Sequence, residues 1–194
     1  MVEGIQRSPT ARAGVLALAY FAGAELGHVL SLQTLDQSFA TFWPPAGLLL
    51  ASLVLTPGRL WPLMLSAACS ANLASDVLLH GKSVLVSLGF FVANGGEACI
   101  GAWLLCRFVG LPFTMARLKD VMGLACWSAL ISTAFGALIG AGMVKMAFPD
   151  TAYWSTWKVW WIADAAGILV FAPMVFAWTA EWPTEVPQGW WSPG

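Results

Sequence analysis

Apolar residues occupy six long blocks of the 194-residue chain, separated by short polar turns. A helix needs about 20 mostly apolar residues to cross the hydrocarbon core of a bilayer. Residues 13–32, 60–79, 83–106, 121–144 and 153–178 meet or approach that length. Residues 46–55 are short for a full span and follow Phe42-Trp43-Pro44-Pro45. Thr56-Pro57-Gly58-Arg59 and His80-Gly81-Lys82 read as tight turns. The pattern predicts an all-α, polytopic transmembrane helix bundle of about six spans over residues 13–180. A short segment precedes it (1–12), and a Trp- and Pro-rich tail follows (181–194). The first block imitates a signal peptide, with Arg7 and Arg12 before an apolar run and Ala22-Gly23-Ala24 as a cleavage-like site. Because the apolar run resumes past Glu25, it is read as a retained first span.

Composition removes most other classes. Hydrophobic residues make up 59% and charged residues 10%, against roughly 45–50% and 25% in soluble domains. So few charges do not cover a soluble globule. A net charge of −1 without a basic cluster argues against a nucleic-acid partner. The lipid bilayer is the first expected partner. Lys and Arg distribution sets the expected orientation. Arg7, Arg12, Arg59, Arg107, Arg117 and Lys119 fall on one side, and Lys82, Lys145 and Lys158 on the other. The N-terminus is therefore expected in the cytoplasm, in a bacterial inner membrane. Cys69, Cys99, Cys106 and Cys126 form no C-x-x-C pair and read as small buried hydrophobes, so no metal site is expected. No cofactor can be named from the residues.

The informative residues are polar ones inside apolar blocks. A charge at the bilayer centre costs about 2.5–3.5 kcal/mol on insertion scales. Glu25, Glu97 and Asp164 are therefore expected to face the bundle interior, to be protonated or to find partners. Glu25 and His28 share a helix face, as do Asn72 and Asp76, and Asn94 and Glu97. His28 is expected to hydrogen-bond Glu25 or another interior acid. Haem ligation is disfavoured, because the second histidine, His80, lies in a loop. Gly89, Ala93, Glu97 and Gly101 form a small-residue stripe, matched by Ser128, Ser132, Gly136 and Gly140, so these two helices are expected to pack together. In the last block Trp154, Trp157 and Trp161 share a face, with Trp160 beside them and Asp164 three residues after Trp161. An interfacial aromatic belt accounts for Trp154 and Trp157. It does not account for Trp161 with Asp164, which is read as part of a polar network or binding site.

Taken in order, Phe42-Trp43-Pro44-Pro45-Ala46-Gly47, Arg59-Leu60-Trp61-Pro62, Ala71-Asn72, Ala93-Asn94 with Glu97-Ala98, Gly101-Ala102-Trp103-Leu104-Leu105, and Trp160-Trp161 with Asp164, Gly167 and Phe171-Ala172-Pro173 resemble the first of the membrane-associated sensor (MASE) domains. These are integral membrane input modules of bacterial histidine kinases and diguanylate cyclases. The resemblance implies a sensory domain without chemistry of its own, and puts Trp43, Pro44, Pro45, Asn72, Asn94, Glu97, Trp161, Asp164 and Pro173 at matching positions. Such domains usually have about eight spans and feed an output module. Six spans and no output module here imply a fragment, a stand-alone relative or a domain reused as a subunit.

Three functions are expected to compete. The first is a non-catalytic sensory or ligand-binding membrane domain, passing a signal to a cytoplasmic output module. Its interior site would comprise Trp43, Pro44, Pro45, Asn72, Asn94, Glu97, Trp161 and Asp164, with Glu25, His28, Asp76 and Pro173 in support. The second is an accessory structural subunit of a larger membrane complex. The third is a small transporter or proton pathway through Glu25, Glu97 and Asp164, weakened by the lack of an inverted repeat between the halves.

Overall fold

The computed structural model describes residues 8–33, 38–39, 42–113 and 115–180. The expectations for the N-terminal segment through Arg7, and for the tail with Trp182, Trp190 and Trp191, lie outside the described residues. Helix α1 is Pro9–Val29, α2 Pro44–Val54, α3 Gly58–Leu79, α4 Val84–Val109, α5 Leu118–Ala147 and α6 Tyr153–Ala180. A two-residue antiparallel pair, β1 (Leu32–Gln33) with β2 (Ser38–Phe39), lies between α1 and α2. Alternation of direction follows from the hydrogen bonds. The Tyr20 hydroxyl donates to Asn72 and the Ser75 hydroxyl to Glu25, so α1 and α3 run parallel. Tyr153 and Trp157 donate to Leu138 and Ala134, so α5 and α6 run antiparallel.

Helices α3, α4, α5 and α6 are long and apolar enough to cross a membrane. Helix α1, at 21 residues, has the length but carries Arg12, Glu25 and His28. Helix α2 differs in kind. Its 11 residues span about 16 Å, roughly half the hydrocarbon core. All but Ser52 are buried. It is the axis of the bundle, packed on α1, α3, α4 and α6. Leu49, Leu50 and Leu53 meet Tyr20, Ile168 and Ala172 in the core. Large apolar residues such as Leu18, Val29, Leu85 and Ile162 point outward instead, as suits a lipid solvent. With lipid outside as apolar as the core, helix association rests on close packing and hydrogen bonds rather than on removal of apolar surface from water.

Small residues provide that close packing. The start of α2 is wedged against α6: a Cβ on Gly167 would collide with the Trp43 carbonyl, and one on Gly47 with the Gly167 carbonyl. Gly27 makes room for the Trp43 ring, and Gly23 for Pro44 and Leu48. The two small-residue stripes do meet. A Cβ on Gly101 would lie 2.8 Å from Ser132 Oγ, and one on Gly136 2.6 Å from Glu97 Oε2. Three helices widen into π-helical stretches, at Ala74–Leu79, Leu105–Val109 and Leu124–Ser132.

Gly167→Ala is expected to lower the thermal stability of the detergent-solubilised protein, on the scale of about 1–3 kcal/mol for overpacking. Gly142→Ala, with nothing within 4 Å of the added carbon, is expected to be neutral or mildly stabilising. Fluorescence-detected thermal unfolding of the two variants checks both.

Candidate functional site

The entry to α2 solves a backbone problem. A helix start buried away from water leaves its first N–H groups without partners. Pro44 and Pro45 occupy the first two positions and have no N–H to leave orphaned. The Trp43 N–H bonds the Ala163 carbonyl of α6 at 3.1 Å, and the Ala46 N–H returns to the Trp43 carbonyl at 3.2 Å. The Trp43 ring sits edge-on to His28, 5.5 Å between centroids, and its indole nitrogen has no hydrogen-bond partner. Tryptophan and prolines therefore set the position of α2 between α1 and α6.

Polar side chains of α1, α3, α4 and α6 form two neighbouring groups. The first lies where α1 and α3 end and α4 begins. Asp76 is 3% exposed yet fully occupied. Its Oδ1 accepts from Lys82 at 2.6 Å, and its Oδ2 from Asn72 at 3.1 Å and Ser87 at 3.0 Å. His28 Nε2 comes to 3.5 Å of the same carboxylate. Glu25 accepts from Ser75 at 2.6 Å and meets His80 at 3.2 Å. His28 and His80 lie ring against ring, 3.9 Å between centroids.

The second group is deeper and differently satisfied. Asn94 and Glu97 of α4 and Asp164 of α6 are all buried. Asp164 lies about 17 Å along α6, and Glu97 about 20 Å along α4, which is mid-helix in both. The two carboxyls face each other. Such a contact is attractive only with a proton or another donor between the oxygens. Trp160, one turn before Asp164, turns its indole toward that carboxyl. Even so, Asn94 Oδ1, Glu97 Oε2, Asp164 Oδ2 and Trp160 Nε1 are buried without a hydrogen-bond partner. Unsatisfied buried polar atoms are uncommon in folded proteins, and these four set the deep group apart from the first. Tyr20, fully buried, joins the two groups. Its hydroxyl donates to Asn72 Oδ1 at 3.3 Å and lies beside the Asn94 amide.

Several residues singled out in the sequence are distributed otherwise than their spacing suggests. Trp161 is not beside Asp164. Its indole donates to the Leu130 carbonyl of α5 at 3.0 Å, and it is Trp160 that neighbours the acid. Trp157 donates likewise to Ala134 at 3.0 Å and Tyr153 to Leu138 at 2.9 Å, making a three-rung aromatic ladder between α6 and α5. Trp157 and Trp161 stack at 5.1 Å, and Trp154 points outward. Glu25 sits at the half-exposed end of α1, and its partner is His80, while His28 Nε2 lies 3.5 Å from Asp76 without a hydrogen bond. Asp76 is a filled structural node rather than a vacancy. Pro173 lies within α6, a few residues past Gly167 and away from both groups. Tyr20, Ser75, Ser87, His80 and Lys82 belong to the network and were not among the candidates. Tyr20, a lone hydroxyl in an otherwise apolar stretch of α1, is the one signal that pointed to them. Among the described residues no cluster of His, Cys, Asp and Glu is arranged to hold a metal ion.

A half-length buried helix, an apolar exterior and a polar interior centre define an integral membrane bundle organised around an internal site. The MASE1 family profile matches residues 12–192, and the chain belongs to that family. It is a membrane sensory domain, embedded in several passes in the bacterial cytoplasmic membrane. The chain is 25% identical over 145 residues to the probable diguanylate cyclase DgcE of Escherichia coli (strain K12). That similarity covers 75% of this chain and 13% of the cyclase, so the chain corresponds to a small part of that relative. No solved structure matches the chain.

Asp76→Leu is expected to destabilise the fold by about 2–4 kcal/mol, because Asn72, Ser87 and Lys82 lose their common acceptor. Lys82→Met is expected to have less than half that effect, since the ammonium is about a third exposed. Chemical or thermal unfolding of both variants in the same detergent checks the ranking.

Proposed function

We propose that the deep group of Tyr20, Asn94, Glu97, Trp160 and Asp164 is the sensing site of this domain. Occupation of the site is read out as a change in how α6 sits against α4, passed along α6 toward the residues that follow it. The receiver is a cytoplasmic output module or a partner subunit. The domain itself performs no catalysis. The observation that carries the proposal is the pairing of two buried carboxyls, one on α4 and one on α6, each with one oxygen, Glu97 Oε2 and Asp164 Oδ2, that lacks a partner. Anything that supplies or removes a donor between them changes the force holding the two helices together. Helix shifts of about 1–2 Å are an established mode of transmission. The similarity to a diguanylate cyclase supports an output of that kind. Positive charge at one end of the bundle supports a cytoplasmic N-terminus. That end carries Arg12 and Arg59, together with Arg107, Arg117 and Lys119 around the α4–α5 connection.

The test compares Glu97→Gln and Asp164→Asn with the wild type in lipid nanodiscs. Spin labels replace the exposed Phe108 at the end of α4 and the exposed Trp178 at the end of α6. The label–label distance is expected to shift by roughly 1–2 Å in at least one variant. Wild-type distances in both variants, with normal folding yield, refute the sensing role.

A further inference from the structure

We infer that the deep site accepts a small primary ammonium ion, a protonated amine. This rests on the sensing-site reading and specifies its ligand chemistry. The unpartnered atoms decide the class. Three of the four are acceptors, Asn94 Oδ1, Glu97 Oε2 and Asp164 Oδ2, and a primary ammonium presents three N–H donors. Two carboxyls exclude an anion. The cationic groups of the neighbouring first cluster lie against their own acids: Lys82 is bonded to Asp76, His80 meets Glu25, and His28 Nε2 lies 3.5 Å from Asp76. The remaining basic residues on the helices around the site are all exposed: Arg12 on α1, Arg107 on α4, Lys119 and Lys145 on α5 and Lys158 on α6. Among the described residues no cation therefore neutralises Glu97 and Asp164. A metal ion is a poorer fit, because the described residues gather no cluster of three metal-ligating side chains. Trp160 and Tyr20 border the acids with aromatic surface, which suits an organic cation. Glu97 lies tight against Gly136 and Trp160 against Gly140, which keeps the ligand small. The polar line Glu25–His80–His28–Asp76–Asn72–Tyr20 runs from one end of the bundle to the site.

The test is thermal unfolding of the full chain in nanodiscs. Methylammonium chloride is compared with tetramethylammonium chloride, potassium chloride and methanol, the salts at matched ionic strength. Methylammonium is expected to raise the melting temperature saturably, as a ligand bound only by the folded state must. Tetramethylammonium has the charge without N–H donors, methanol a donor without the charge, and potassium neither the donors nor the shape; none of the three is expected to act. Glu97→Gln and Asp164→Asn are each expected to weaken the methylammonium midpoint about tenfold or more, on the scale of one charge-assisted hydrogen bond. The four-probe comparison on the wild type alone keeps the test decisive if a variant folds poorly. An equal response to all three salts, no response to methylammonium, or a response unchanged in both variants overturns the inference. Saturable stabilisation by methanol that disappears in Glu97→Gln also overturns the ammonium assignment, while leaving the sensing site itself in place. The label distances report on that site independently.

Discussion

Inside a bilayer every backbone N–H and C=O must find its partner within the protein, and the whole arrangement depends on how the start of α2 meets that demand. Two consecutive prolines remove donors that would otherwise be orphaned, and Trp43 borrows the Ala163 carbonyl of α6 for the next one. The borrowing requires backbone-to-backbone approach, and Gly167 permits it. With its entry secured, an 11-residue helix can lie wholly inside the bundle, and α1, α3, α4 and α6 pack on it. A half-length axis leaves membrane-depth space that neighbouring helices fill with polar side chains.

Those side chains divide according to whether their demands are met. Asp76 has a lysine, an amide and a hydroxyl, so its burial is compatible with charge and it ties α3 to α4. Glu97 and Asp164 have chiefly each other. All three acids are almost entirely buried; Asp76 differs from the other two in what surrounds it, not in depth. Fully satisfied networks lend rigidity, and an incompletely satisfied one carries the cost of its unpaired groups. Tyr20 touches both groups and is the contact that joins them.

Much of this was legible in the chain. Block lengths gave the helices, including the shortness of α2. Four-residue repeats of small residues on α4 and α5 identified two faces that do meet, and the interior acids marked α4 and α6. The partners of those acids were less accessible. Periodicity tells which residues share a face, but not which neighbour that face meets or at what depth. Hence Glu25 and His28, one turn apart, serve different partners, and His80 returns from its loop to lie on His28. Trp160 and Trp161 differ by one position, about 100° of helix, and that angle separates a neighbour of Asp164 from a rung on α5.

The aromatic rungs have a symmetry of their own. Their donors, Tyr153, Trp157 and Trp161, recur every four residues, and so do their acceptors Leu138, Ala134 and Leu130. Sliding α6 along α5 by four residues, about 6 Å, would bring Trp157 to Leu138 and Trp161 to Ala134, remaking two of the three bonds. Intermediate displacements would stretch or misalign all three bonds together. The contact between these helices is thus toothed: a change of register must break all three rungs at once, whereas a small tilt only strains them.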